Sequence, residues 1–188
     1  MSKIYLSVTE HRPKDLFGYD GKQYRVLFNR IQYVFKAFLD RYDELEVITG
    51  GAQGVDQIAF WSAYTLKRSF NVHTVLAVPF KGQESIWKEE GSFGRKEYRT
   101  IVNLADEVVY VLKKYIGTGS YVIRDQYMVN KSDVLLSVLD PSRLEEVHSG
   151  TLLTTEYALE QGKPVVHIDP FNDIQEPKSI YSLNEVLR

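Results

Sequence analysis

Glu46-Val47-Ile48-Thr49-Gly50-Gly51-Ala52-Gln53-Gly54-Val55-Asp56 decides how this chain folds. Its first four residues read as a buried strand. From Val55 to Lys67 the pattern is helical, with Ile58, Ala59, Trp61, Ser62 and Leu66 near one face. The glycines between them allow positive φ and close approach of the backbone. A strand that turns through glycines into a helix aims several backbone N–H groups outward at the positive end of the helix dipole. That arrangement favours a phosphate or another anion. The turn is neither a Walker A loop, since no Gly-Lys-Ser/Thr follows, nor a GxGxxG fingerprint. An ordinary corner between strand and helix uses glycines in the same way, so the meaning of this one depends on the rest of the chain.

On both sides of the turn the alternation continues. Strand-like runs are expected at Lys3 to Val8, Leu45 to Thr49, Val72 to Val78, Glu107 to Leu112, Asp133 to Leu139 and Pro164 to Ile168. Between them lie helical stretches. Lys22 to Tyr42 carries Val26, Leu27, Ile31, Val34, Phe35, Phe38 and Leu39 at helical spacing. Glu84 to Leu104 reads as mostly helical, interrupted near Gly91 and Gly94. A helix is expected within Gly119 to Asn130, and another over Thr151 to Gln161, closed by Gly162. The tail from Asn172 to Arg188 is polar, with one short helix at its end. Such alternation predicts a parallel sheet with helices on both faces, and apolar strand runs fit strands covered on both sides.

Composition narrows the function. The 188 residues suffice for one domain with a substantial core, and no linker or repeat divides them. A net charge of −2 gives no overall electrostatic case for nucleic acid. No cysteine is present, which removes disulfides, thiolate metal sites and cysteine nucleophiles. The four histidines, His11, His73, His148 and His167, have no metal-ligand spacing, and no cofactor is expected. The N-terminus enters a strand at once and lacks signal-peptide anatomy. No apolar run is long enough to span a bilayer. A cytoplasmic location without membrane partners is expected.

In open α/β sheets, ligands bind outside the carboxyl ends of the strands. The residues there form a series. Thr9, His11 and Arg12 follow the first strand, and Arg12 brings a planar fork for phosphate or carboxylate. Gly50, Gly51, Gln53, Gly54 and Asp56 follow the second. An acid in a first helical turn caps the helix, and it can also accept from a sugar hydroxyl. Phe80, Gln83 and Trp87 follow the third, offering faces to stack on a base and an amide to read its edge. Arg124 lies on a helix ahead of the fifth strand. Ser149, Gly150 and Thr151 make a second glycine turn at a helix start. Two such turns at one sheet edge point to a ligand site.

The ordered series His11-Arg12-Pro13, Gly18-Tyr19, Gly50 to Gln57, Pro79-Phe80 with Gln83 and Trp87, Arg124-Asp125 with Tyr127-Met128-Val129, Ser132-Asp133, Ser149-Gly150-Thr151 and Gly162-Lys163-Pro164 resembles the YpsA-like branch of the SLOG superfamily. The resemblance runs to about Pro170. It implies a Rossmann-like three-layer α/β sandwich with a mainly parallel central sheet, and a pocket for a nucleotide or nucleotide-derived small molecule. Relatives include the DNA-processing protein DprA and the LOG phosphoribohydrolases, which cleave the N-glycosidic bond of a nucleoside monophosphate. Glu10 stands where the family's first loop has glycine. Ser149-Gly150-Thr151 lacks the leading glycines of the LOG signature, and Leu152 and Leu153 follow it in place of two glutamates.

Binding of a nucleotide-derived ligand is therefore the leading expectation. Hydrolysis or transfer at an N-glycosidic bond is the second; it needs a carboxylate near the anomeric carbon, and Asp56, Asp125 and Glu156 are the acids available. A DprA-like adaptor for single-stranded DNA is the third, against which the acidic balance argues. The apolar excess of the Lys22 to Tyr42 helix, with Tyr24, Phe28 and Tyr33 expected at its surface, suggests a homo-oligomer.

Overall fold

A computed structural model describes residues 2–140 and 150–171. In chain order these form β1 (Lys3–Glu10), α1 (Tyr24–Leu39), β2 (Glu44–Thr49), α2 (Val55–Leu66), β3 (Val72–Val78), α3 (Arg95–Leu104), β4 (Glu107–Tyr110), α4 (Gly119–Lys131), β5 (Val134–Val138), α5 (Gly150–Glu160) and β6 (Val165–Ile168). Six parallel strands make one sheet in the order β4-β3-β2-β1-β5-β6. The chain adds β2, β3 and β4 outward on one side of β1, then returns to lay β5 on the other. The strand order reverses at β1, the switch point of a Rossmann-like α/β sandwich.

Strand periodicity sorts the core into two layers. Ile4, Leu6 and Val8 of β1, Leu45 and Val47 of β2, and Val134, Leu136 and Val138 of β5 share one cluster with Leu27, Ile31, Val34 and Phe35 of α1 and Ala59 and Ala63 of α2. Leu76 and Val78 of β3 pack on Phe60 of α2 and Ile101 of α3 on this same face. The opposite face receives α4 and α5, through Met128 against Ile48, Val75 and Ala77, and through Val129 and Ala158 against Leu135 and Val165. Phe35 and Phe38 are fully buried, each worth about 2–3 kcal/mol in water excluded. The α4/α5 face also holds small hydroxyls in pairs. Ser7 and Ser132 lie 2.7 Å apart, and Ser137 and Thr155 2.9 Å apart, so these buried groups satisfy one another.

Several expectations shift. The first helix is Tyr24–Leu39 instead of Lys22 to Tyr42, and Tyr24 on it is buried against Phe17 and Phe93, whereas Tyr33 is exposed and Phe28 half-buried. The stretch from Glu84 to Leu104 is not mostly helical: a 3-10 turn covers Gln83–Ile86, and the α-helix begins only at Arg95. Gly91 and Phe93 hold positive φ between them, which an α-helix does not admit. The second helix is not amphipathic; Val55, Asp56, Gln57, Ala59, Phe60, Ser62, Ala63 and Leu66 are all buried. It is enclosed by the sheet, α1 and α3, and a helix enclosed on several sides has no polar face to show. His73 and His167 lie on β3 and β6 as read, His167 bonded through Nε2 to the Leu139 carbonyl at 2.7 Å. Among the described residues no helix is long and apolar enough to cross a membrane. Ser149, His148 and the tail beyond Phe171 lie outside the described residues.

Candidate functional site

Six parallel strands deliver their carboxyl ends to one edge; the connections after β1, β2 and β3 carry most of the residues singled out above, and α4 brings Arg124. The centre is Gly50, one residue past β2. A Cβ on Gly50 would stand 1.3 Å from Nη1 of Arg124 and 2.7 Å from Oδ2 of Asp56. Glycine is required here because the guanidinium, arriving from α4 on the other face, occupies the space of a side chain. Gly51 has φ +66°, and its missing Cβ would lie 2.9 Å from Leu76 and 3.0 Å from Tyr98. Gln83 completes the frame: its Nε2 donates to the Gly50 carbonyl at 3.2 Å and to the Tyr98 hydroxyl at 3.2 Å. This amide is buried and engaged in scaffolding. Burial pushes the Tyr98 phenol up to about 12, against the pull of the Gln83 bond, so it stays protonated.

Asp56 and Arg124 are both buried, and their side chains approach to 3.5 Å. The Asp56 Oδ2 also accepts from the Ala52 N–H at 3.1 Å, which closes the glycine turn on itself. Arg124 Nε donates to Asp125 Oδ1 at 2.7 Å. Burial is the strongest influence on Asp56 and pushes its carboxyl above the usual range. Arg124 and the amides of Ala52 and Gly50 pull it back, and Asp125 adds a further push upward. The pair thus bridges α2 and α4 across the top of the sheet.

A second group sits beside it. Arg12, exposed just past β1, holds its guanidinium 5.3 Å from the centre of the Tyr121 ring. Tyr121 meets Phe80 edge-on at 5.9 Å, and Phe80 meets Tyr115 at 5.0 Å. Tyr121 precedes Arg124 by one helical turn on α4, so the two share a face. Thr9 and His11 are buried at the end of β1, where Thr9 pairs in register with Ser137 of β5.

The remaining residues lie apart. Gln53 turns to the α1/α2 face, accepting from the Tyr19 hydroxyl at 3.4 Å and donating to the Phe93 carbonyl at 2.9 Å. Gly54, at φ +106°, is the N-cap of α2. Trp87 is half-buried, edge-on to Tyr98 at 5.3 Å. Gly150 opens α5, exposed and with no described residue near its missing Cβ, and Thr151 is buried behind it. Asp125 and Glu156 line one cavity of about 240 Å³ between α4 and α5.

Two participants escape the sequence reading. Tyr121 was signalled only by its helical spacing from Arg124. Gln57, buried in the first turn of α2, was signalled only as the end of the Gly50 to Gln57 series.

The YspA SLOG family matches this chain over residues 6–173. The chain is 29% identical to the UPF0398 protein YpsA of Bacillus subtilis (strain 168) over 168 residues, 87% of this chain and 91% of that protein. It is also 29% identical to the uncharacterized SPbeta prophage-derived protein YoqJ of the same organism over 144 residues, 70% and 80% of the two chains. A UPF0398 protein of Bacillus thuringiensis (strain Al Hakam) is 29% identical over 143 residues, 73% and 75%. With nine-tenths of its length matched in this way and the switch-point sheet beneath it, the chain belongs to the YspA SLOG family.

Proposed function

We propose that this protein binds a nucleotide or nucleotide-derived ligand at the carboxyl edge of the sheet, on the α4 side. One observation carries the reading: Arg12, Phe80 and Tyr121, distant in sequence, meet at the rim beside the Gly50–Arg124 seat. An exposed guanidinium against an aromatic pair suits a ligand with both a flat ring and negative charge. Family membership supports a nucleotide-related ligand over other anions. Arg12 supplies the charge, because Arg124 is already engaged by Asp56 and Asp125. The phosphate end lies toward Arg12, the base toward Phe80.

Thermal-shift measurements with a panel of mono-, di- and cyclic nucleotides test this. A ligand at a hundred times its Kd stabilises the fold by about 2.7 kcal/mol. Arg12→Ala, at an exposed position, leaves the unliganded Tm in place and removes most of that stabilisation. If no nucleotide raises the wild-type Tm, the reading is lost.

A hydrolase reading has one observation in its favour, the shared cavity of Asp125 and Glu156 beside Gly150. Cleavage of an N-glycosidic bond there releases free base from a nucleoside monophosphate, which chromatography detects. Absence of free base, with binding intact, leaves the binding module standing.

A further inference from the structure

On the other face of the sheet from Arg124, a cavity of about 360 Å³ opens between the first turns of α2, the loop before α1 and the loop before α3. Its chemistry is the reverse of the rim. Tyr19, Tyr24, Trp61 and Phe93 supply aromatic wall, and Asp20 and Glu97 supply carboxylates. No lysine or arginine lines it among the described residues. Gln57 forms part of the wall and is 1% exposed, yet neither its Nε2 nor its Oε1 has a hydrogen-bond partner. A buried primary amide with both ends unsatisfied is uncommon and destabilising unless a ligand completes it.

The surroundings are held rigidly. Phe93 is the one non-glycine with positive φ among the described residues, at +61°. Its carbonyl is tied by the Gln53 amide, and its ring meets Tyr24 edge-on at 5.0 Å. Backbone in this region persists only where several contacts fix it, and such places favour ligand clamps. Glu97 accepts from the Trp61 indole N–H at 2.6 Å, which fixes the carboxylate beside the aromatic wall and leaves its second oxygen to accept again.

We propose that this cavity is a binding site for an amino-substituted heteroaromatic base of the adenine or cytosine type, distinct from the rim. Turned outward from its sealed position, the Gln57 amide presents a donor and an acceptor side by side, and the amino group and adjoining ring nitrogen of such a base present the complement. The carboxylates accept remaining amino hydrogens and repel phosphate. Aromatic walls suit a flat ring, and the volume lies in the range of small-molecule pockets.

Calorimetric titration with adenine and adenosine tests the site, with choline and inorganic phosphate as comparators. Adenine and adenosine bind, while choline and phosphate do not. Gln57→Leu weakens adenine at least tenfold and raises the unliganded Tm, because it removes an unpaired polar group without removing a bond. A purely structural glutamine would show the opposite pair of effects. Glu97→Gln weakens adenine severalfold and answers the same question if Gln57→Leu does not fold. Arg12→Ala leaves adenine affinity unchanged, so failure at the rim and failure here are read separately. Absence of adenine binding, binding of choline in its place, or wild-type affinity in Gln57→Leu or Glu97→Gln overturns the proposal.

Discussion

The two glycine turns at the carboxyl edge look alike in sequence and differ in physical role. At Gly50 the absent side chain is replaced by the Arg124 guanidinium, and the carbonyl is held by Gln83. At Gly150 no described residue lies within 4 Å of a would-be Cβ, and the residue is exposed. The first glycine is an element of packing between two helices on opposite faces. The second asks nothing of its neighbours. A glycine-rich βα turn is thus no evidence by itself of a phosphate cradle, since a protein cation fills the first of these two.

Substitution separates the pair. Gly50→Ala forces Arg124 away from Asp56 and Asp125 and overpacks a buried corner. It costs about 4 kcal/mol, read as a lowered urea midpoint. Arg124→Met removes the cation and keeps the bulk, costing about 3 kcal/mol near neutral pH because the buried Asp56 carboxylate loses its counter-charge. This loss depends on pH in a fixed sense. Burial already raises the folded carboxyl above its unfolded value, and loss of Arg124 raises it further. The folded variant therefore holds a proton that the unfolded chain has released, and its stability falls as pH rises from the ordinary carboxylate range toward that raised pKa. Denaturation of Arg124→Met at pH 5 and pH 8 shows the greater stability at pH 5, and adding Asp56→Asn flattens the difference. Gly150→Ala, exposed at a helix start, stays within about 0.5 kcal/mol of wild type and toward greater stability. A large loss there would erase the contrast between the turns.

Much of the fold was legible because buried parallel strands are short apolar runs bounded by turn residues; β3 and β5 show that pattern fully, whereas β4, at the edge of the sheet, is nowhere buried. The helix boundaries near Gly91 and Gly94 were not, since the positive φ of Phe93 arises from tertiary packing and no propensity announces it. The enclosure of α2 was hidden for a similar reason. Ser62 was read with the apolar face and is buried, its hydroxyl bonding the Phe28 carbonyl of α1, whereas nothing in the pattern marked Gln57 as equally buried. At the edge, residue types were readable and partners were not. Gln83 and Asp56 look like ligand groups in sequence, whereas their atoms meet Gly50, Tyr98, Ala52 and Arg124. Arg12 and Phe80 were found by their place after strands, and only the packing of α4 revealed that Tyr121 joins them.

The Ala52 N–H donates to the very carboxylate oxygen that Arg124 approaches from the opposite helix layer. One amide proton therefore senses the charge state and the seating of α4 together. In a ¹⁵N correlation spectrum its resonance is a native gauge of that junction, moving whenever the arginine shifts and staying still when events are confined to the far side of the sheet.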